Sequence, residues 1–203
     1  MKRKKSKKET KAEEKETEEK DIEKGTKKDI KAVLEENKII VWDDYENVYE
    51  PGYYGKIMDG YLELAFVEAL LLLKRGRIKV FEGKKELDFK KLFEKACALD
   101  RRLPERYRVY EELRERGLLV RTGFKFGCDF RVYDRGVQLR KGPKSQKEHT
   151  KWIVFAVPED YTCSFQELSR AVRLAHNIRA KMLWAIVDNE NDITYYQVTR
   201  HKP

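Results

Sequence analysis

A chain of 203 residues with 45 Lys+Arg against 36 Asp+Glu is long enough for one large domain or two small ones. Its formal charge of +9 suggests an anionic partner, nucleic acid first, although the 40% charged content equally suits a thermophile's Lys/Glu-rich surface. Cys97, Cys128 and Cys163 are far apart and form no C-x-x-C pair, which speaks against a disulfide framework or a cysteine zinc site and for a reducing, cytoplasmic setting.

The N-terminus has no apolar leader, and the longest apolar run, Leu64–Leu73, is interrupted by Glu68 and too short to span a bilayer, so no membrane partner is expected. Residues 1–28 are almost wholly charged, with Ile22 the only large apolar side chain after Met1. Such a stretch cannot bury enough surface to offset its ordering entropy, so it reads as a disordered tail or a solvated helix. Its basic front, Lys2 to Lys8, adds either nonspecific RNA attraction or solubility. Ile39–Trp42 predicts a short strand, and Pro51-Gly52 before Tyr53-Tyr54-Gly55 a turn. Tyr61–Leu64 reads as a strand or a helix entry. Ala65–Lys74 predicts a helix closed by Gly76, with Lys74 and Arg75 complementing its dipole. Arg77–Phe81 alternates as a strand. Leu87, Phe89, Leu92, Phe93, Ala96 and Leu99 form one helical face. Residues 29–103 are therefore expected to form a small mixed α/β domain.

Pro104 suits the first turn of a helix over Glu105–Arg116 that stops at Gly117. Leu118–Arg121 and Asp129–Tyr133 pattern as a hairpin, followed by a Gly-, Lys- and Arg-rich loop to Glu148. Trp152–Val157 is a continuous apolar run and reads as a central strand. Ser164-x-x-Glu167 is a capping box. The helix it opens is expected to run to about Met182, with Leu168, Ala171, Val172, Ala175 and Ile178 as its apolar stripe. Leu183–Val187 and Ile193–Thr199 complete a hairpin around the acidic turn Asp188–Asp192. Residues 104–203 thus predict a second domain, a mixed sheet flanked by helices, and the fold class is α/β (α+β).

Several chemistries lack their residues. With only His149, His176 and His201, a zinc site is not suggested, and no carboxylate cluster suits a two-metal nuclease. There is no G-x-S-x-G elbow and no P-loop. The G-x-x-x-G of Gly123–Gly127 bridges two strand-like runs and opens no helix. Metal-free acid/base work on an RNA phosphodiester remains open. It needs a base for the 2′-hydroxyl, an acid for the leaving 5′-oxygen and a cation beside the phosphorane. Tyr133, His149 and a lysine near the end of the last helix can fill those roles, and His149 closes a loop rich in cations: Arg140, Lys141, Lys144 and Lys147. From spacing alone, the better reading is that His149 is a surface residue before a strand and Tyr133 an ordinary strand aromatic.

YRVYEELRERGLLVRTGFKFGCDFRVYDRG, EHTKWIVFAVPED, RAVRLAHNIR and AIVDNENDITYY closely resemble the catalytic domain of archaeal tRNA-splicing endonucleases. GYYGKIMDGYLELAFVEALLLLKRGRIKVF and LDFKKLFEKA are similar to that family's N-terminal domain, and the resemblance spans about residues 38–203. It implies a metal-independent, cofactor-free endoribonuclease that cuts precursor tRNA at bulge-helix-bulge junctions. The products would carry a 2′,3′-cyclic phosphate and a 5′-hydroxyl. By motif, Tyr133 would be the general base, His149 the general acid, and Arg173 an arginine that clasps a bulge base. The family's lysine falls at Ala180. That marks either an introduced, disarming substitution or a natural variant that uses Lys181, one residue and about 100° further round a helix. The loop between Tyr133 and His149 is longer than in relatives, so Lys141, Lys144 and Lys147 are candidate RNA contacts or part of a solvated insertion. The resemblance makes Asp188, Glu190 and Asp192 a subunit-docking loop, and the strand with Tyr195, Tyr196 and Val198 a dimerising edge. It implies a homotetramer or assembly with a related structural subunit. The competing expectations are a non-catalytic structural subunit and a basic RNA-binding module.

Overall fold

The computed structural model describes residues 29–123, 127–139 and 149–201. The charged tail of residues 1–28 and Lys141, Lys144 and Lys147 lie outside them. Two mixed sheets carry the chain. The first has the order β3-β4-β2-β1-β5-β6 and comprises β1 (Ile30–Glu35), β2 (Lys38–Val41), β3 (Lys56–Ile57), β4 (Leu62–Leu64), β5 (Ile78–Glu82) and β6 (Lys85–Leu87). A short helix α1 (Tyr45–Tyr49) follows β2, α2 (Phe66–Lys74) links β4 to β5, and α3 (Phe89–Leu99) follows β6. Gly76 takes φ +65 beyond α2, the left-handed turn expected of a helix stop. Leu87 ends a strand instead of opening a helix. Asp88 separates the two elements: its carboxylate accepts the Lys91 N–H at 2.8 Å and caps α3.

The second sheet has the order β11-β10-β9-β8-β7, built from β7 (Leu119–Thr122), β8 (Phe130–Tyr133), β9 (Trp152–Pro158), β10 (Lys181–Val187) and β11 (Ile193–Val198). β9 and β10 are parallel, so a crossover is required, and α5 (Phe165–Asn177) supplies it. Helix α4 (Leu103–Glu115) covers the opposite face of the sheet, packing on β7, β9 and β10, and also touches α2 and α3. It is buried on several sides, through Tyr107, Val109, Tyr110, Leu113 and Arg114. One apolar core therefore runs from Ala32 and Leu70 through α4 to Val132, Val154 and Ala185. A second cluster fills the α5 side with Cys128, Ile153, Val157, Ala171, Ala175, Met182 and Trp184.

The last helix is shorter than its apolar stripe suggests. It ends at Asn177, and Arg179 takes φ 56. Arg179 N–H donates to the His176 carbonyl at 3.1 Å and Ala180 N–H to the Ala175 carbonyl at 2.9 Å. This pair of bonds is a Schellman stop with arginine where glycine is usual, and the missing glycine is why the sequence pattern runs on. Ala180 and Lys181 are thus not helical: Lys181 begins β10.

Gly123 makes a close backbone approach. A Cβ there would sit 2.4 Å from Cys128 Sγ and 2.8 Å from the Cys128 carbonyl oxygen. Gly123→Ala is expected to cost about 1–3 kcal/mol by overpacking. Thermal unfolding should show the midpoint falling by about 2–12 °C; an unchanged midpoint would refute the contact.

Candidate active site

Three strands end together at one edge of the second sheet. Tyr133 is the last residue of β8 and only 2% exposed. Phe130 and Val132 point into the α4 core, so alternation places Tyr133 on the α5 face. Lys151, just before β9, donates its backbone N–H to the Val132 carbonyl at 2.8 Å, and its own carbonyl accepts the Lys181 N–H at 2.9 Å. These bonds tie the end of β8 to the starts of β9 and β10. His149 lies two residues before Lys151, exposed at the same edge. Ala180 stands on the α5 face, partly buried against the cluster of Ile153 and Met182. Lys181 pairs with Trp152 in the parallel register and therefore projects from the other face. The fold thus brings Tyr133, His149 and Ala180 to one sheet edge and sets Lys181 apart by strand alternation.

Asp134, directly after Tyr133, accepts from Lys151 Nζ at 2.7 Å. That hydrogen bond, ahead of weaker contributions, holds its carboxyl below the usual carboxylate range. Lys151 Nζ also lies 4.3 Å from the centroid of the Trp152 ring. Arg173 is exposed on α5, its Nε donating to the Ser169 carbonyl at 3.3 Å. Among the described residues, no three His, Cys, Asp or Glu side chains converge to hold a metal ion. Nor is any described helix long and apolar enough to cross a membrane.

The acidic turn lies at the opposite end of β10. Six strand steps separate Lys181 from Val187, about 20 Å. The Asp188 carboxylate is used locally: it accepts N–H groups of Glu190 at 2.9 Å and Asp192 at 2.8 Å. Arg108 Nε on α4 donates to the Asn191 carbonyl at 2.8 Å, and Asn189 bonds to Glu159. Glu190 and Asp192 remain exposed on a braced turn. The strand after it, β11, forms the sheet edge, with Tyr196 56% exposed.

Sequence reasoning missed the charged pins that fix the site's strands. Asp129, just before β8, accepts from the Ala156 N–H at 2.9 Å and from Arg102 at 2.7 Å, with Arg106 Nε 3.2 Å away. A lone acidic residue beside apolar strands carries no signal for this. Two arginines on the preceding connector and helix are the only hint.

Comparison with known proteins bears on this arrangement. Residues 103–195 match the family model for the tRNA intron endonuclease catalytic C-terminal domain, and residues 30–93 match its N-terminal domain. A tRNA-splicing endonuclease of Thermococcus onnurineus is 40% identical over 168 residues, covering 83% of this chain and 90% of that protein. One of Thermococcus kodakarensis is 40% identical over 151 residues, covering 74% and 84%. One of Nanoarchaeum equitans is 40% identical over 141 residues, covering 70% and 90%. The edge formed by Tyr133, His149 and Ala180 lies within the catalytic-domain match, and the chain belongs to the tRNA intron endonuclease family.

Proposed function

We propose that this chain cuts precursor tRNA at bulge-helix-bulge junctions without a metal ion, leaving a 2′,3′-cyclic phosphate and a 5′-hydroxyl. The observation that carries this is the meeting of Tyr133 and His149 at one end of three adjacent strands. Tyr133 takes the proton of the 2′-hydroxyl, and the freed oxygen attacks the adjacent phosphorus. The bond to the 5′-oxygen breaks as His149 delivers a proton to it. A cation at position 180 would offset the charge of the phosphorane, and Ala180 supplies none. Lys181 is the weaker substitute, since it leaves the strand on the other face. Arg173 stacks its guanidinium on a bulge base. Lys141, Lys144 and Lys147 add attraction for RNA phosphates.

Residues 29–103 and 104–203 act as N-terminal and catalytic domains, and Glu190 and Asp192 dock into a neighbouring subunit of a homotetramer. The distance between the acidic turn and the Tyr133 edge favours docking on a neighbour, because the turn cannot reach its own site. Retention of both Tyr133 and His149 weighs against a purely structural subunit.

Cleavage of a bulge-helix-bulge RNA in EDTA tests the reading. His149→Ala and Tyr133→Phe are each expected to lower the rate about 10²- to 10⁴-fold with little effect on RNA affinity. Activity abolished by EDTA, or unchanged in His149→Ala, would overturn it.

A further inference from the structure

A groove of about 350 Å³ opens between α5 and the sheet, on the face that carries Tyr133 and Ala180. Its floor is aromatic. Phe155 and Trp184 are stacked at 5.3 Å with 22° between their planes, and Tyr161 lies 5.7 Å from Trp184. Leu174 and Ala171 form the α5 wall, with Arg170 and Glu167 at the rim. Trp184 is only 6% exposed, yet its Nε1 has no hydrogen-bond partner among the described residues.

We infer that this groove is a nucleobase subsite, taking one unstacked base of the RNA substrate against the Phe155 and Trp184 side chains that line it; the inference rests on the endonuclease reading above. The volume is at the small end for a ligand pocket and suits a flat heterocycle. Every base offers a flat π-face to an aromatic-lined groove. Charge selects RNA over an apolar peptide. Arg170, Arg173 and Arg179 are exposed on α5 and its exit. Glu167, the one rim carboxylate, is already bonded to the Tyr161 hydroxyl. Four strand steps separate Trp184 from Ala180, about 13 Å. The groove is therefore within reach of a nucleotide only a few positions from a phosphate held at the Tyr133 edge.

The test uses the full chain and a bulge-helix-bulge RNA blocked by a 2′-deoxy nucleotide at the cut site, with and without abasic bulge positions. An abasic position is expected to weaken binding about 10- to 100-fold. Leu174→Phe, which fills the groove, and Trp184→Phe, which puts a smaller single ring in place of the indole, should each weaken binding to the intact bulge. Neither should change affinity for the RNA whose abasic position matches the subsite. The RNA-induced change in tryptophan emission should shrink in Trp184→Phe, and thermal unfolding checks that the variants fold. Leu174→Phe binding the intact bulge as tightly as the parent would overturn the subsite and leave the endonuclease reading intact. Failure of the parent chain to bind any bulged RNA would overturn both.

Discussion

Ala180→Lys is expected to raise the cleavage rate of a bulged precursor by about 10²- to 10³-fold, the usual worth of one preorganised charge-stabilising group at a transition state. The location supports this. The Schellman turn at Arg179 fixes where position 180 enters the sheet, and its backbone N–H is already satisfied by the Ala175 carbonyl at 2.9 Å. A lysine there leaves the sheet on the same face as Tyr133, from a partly buried base. Its aliphatic stem would lie along the Ile153–Met182 cluster while the ammonium reaches the open edge. Stability should therefore change little while rate changes greatly. Lys181 does not serve the same end, because adjacent strand residues face opposite ways. Single-turnover cleavage in EDTA measures the effect. Ala180→Lys reacting no faster than the parent would refute it, as would a parent activity that Lys181→Ala abolishes. Restored cleavage that His149→Ala removes again would complete the case.

The legible and illegible parts of the sequence divide along physical lines. Periodicity and caps are local, and they marked α2, β9 and α5 at their starting ends. The Ser164 cap appears as expected, accepting the Glu167 N–H at 3.1 Å. Elements that depend on partners leave no local pattern. β1 has polar Lys31 and Glu35 among its apolar residues and owes its place to pairing with β2 and β5. α1 is one short turn with Val48 as its only buried side chain. The end of α5 is not legible in the sequence because arginine occupies the left-handed position that glycine usually marks. At the site, residue types suggested Tyr133 and His149, but only the register of β8 to β10 brings them together. Lys181 changed most. A helical rotation of 100° became a switch of sheet face, a stronger separation. The Trp184 groove left no pattern in the sequence, since a tryptophan in an apolar strand reads as core.

Arg114→Met is expected to be a strongly damaging substitution outside the active site, at about 3–5 kcal/mol, because it removes a buried guanidinium and leaves two carbonyls and a hydroxyl without their donor. Arg114 is 8% exposed and lies between the two sheets on α4. Its guanidinium donates to the Gly52 carbonyl at 2.9 Å and the Val120 carbonyl at 2.7 Å, and its Nε to the Tyr110 hydroxyl at 3.1 Å. The same group sits 4.2 Å from the Tyr54 ring centroid and 5.3 Å from that of Tyr110. One side chain thus joins the turn before β3, helix α4 and strand β7. Methionine keeps much of the volume, so the loss reports the polar contacts more than a cavity. Neighbouring ties do not replace them: Arg121 bonds to the Tyr53 carbonyl and Lys74 to Glu111 at 2.8 Å, both nearer the surface. Thermal unfolding should show a midpoint lower by about 6–20 °C. Arg114→Lys should recover only part of the loss, because an ammonium cannot lie flat on Tyr54 while serving two carbonyls. If Arg114→Met melts within about 2 °C of the parent, then packing alone holds the N-terminal sheet to α4 and the guanidinium is incidental.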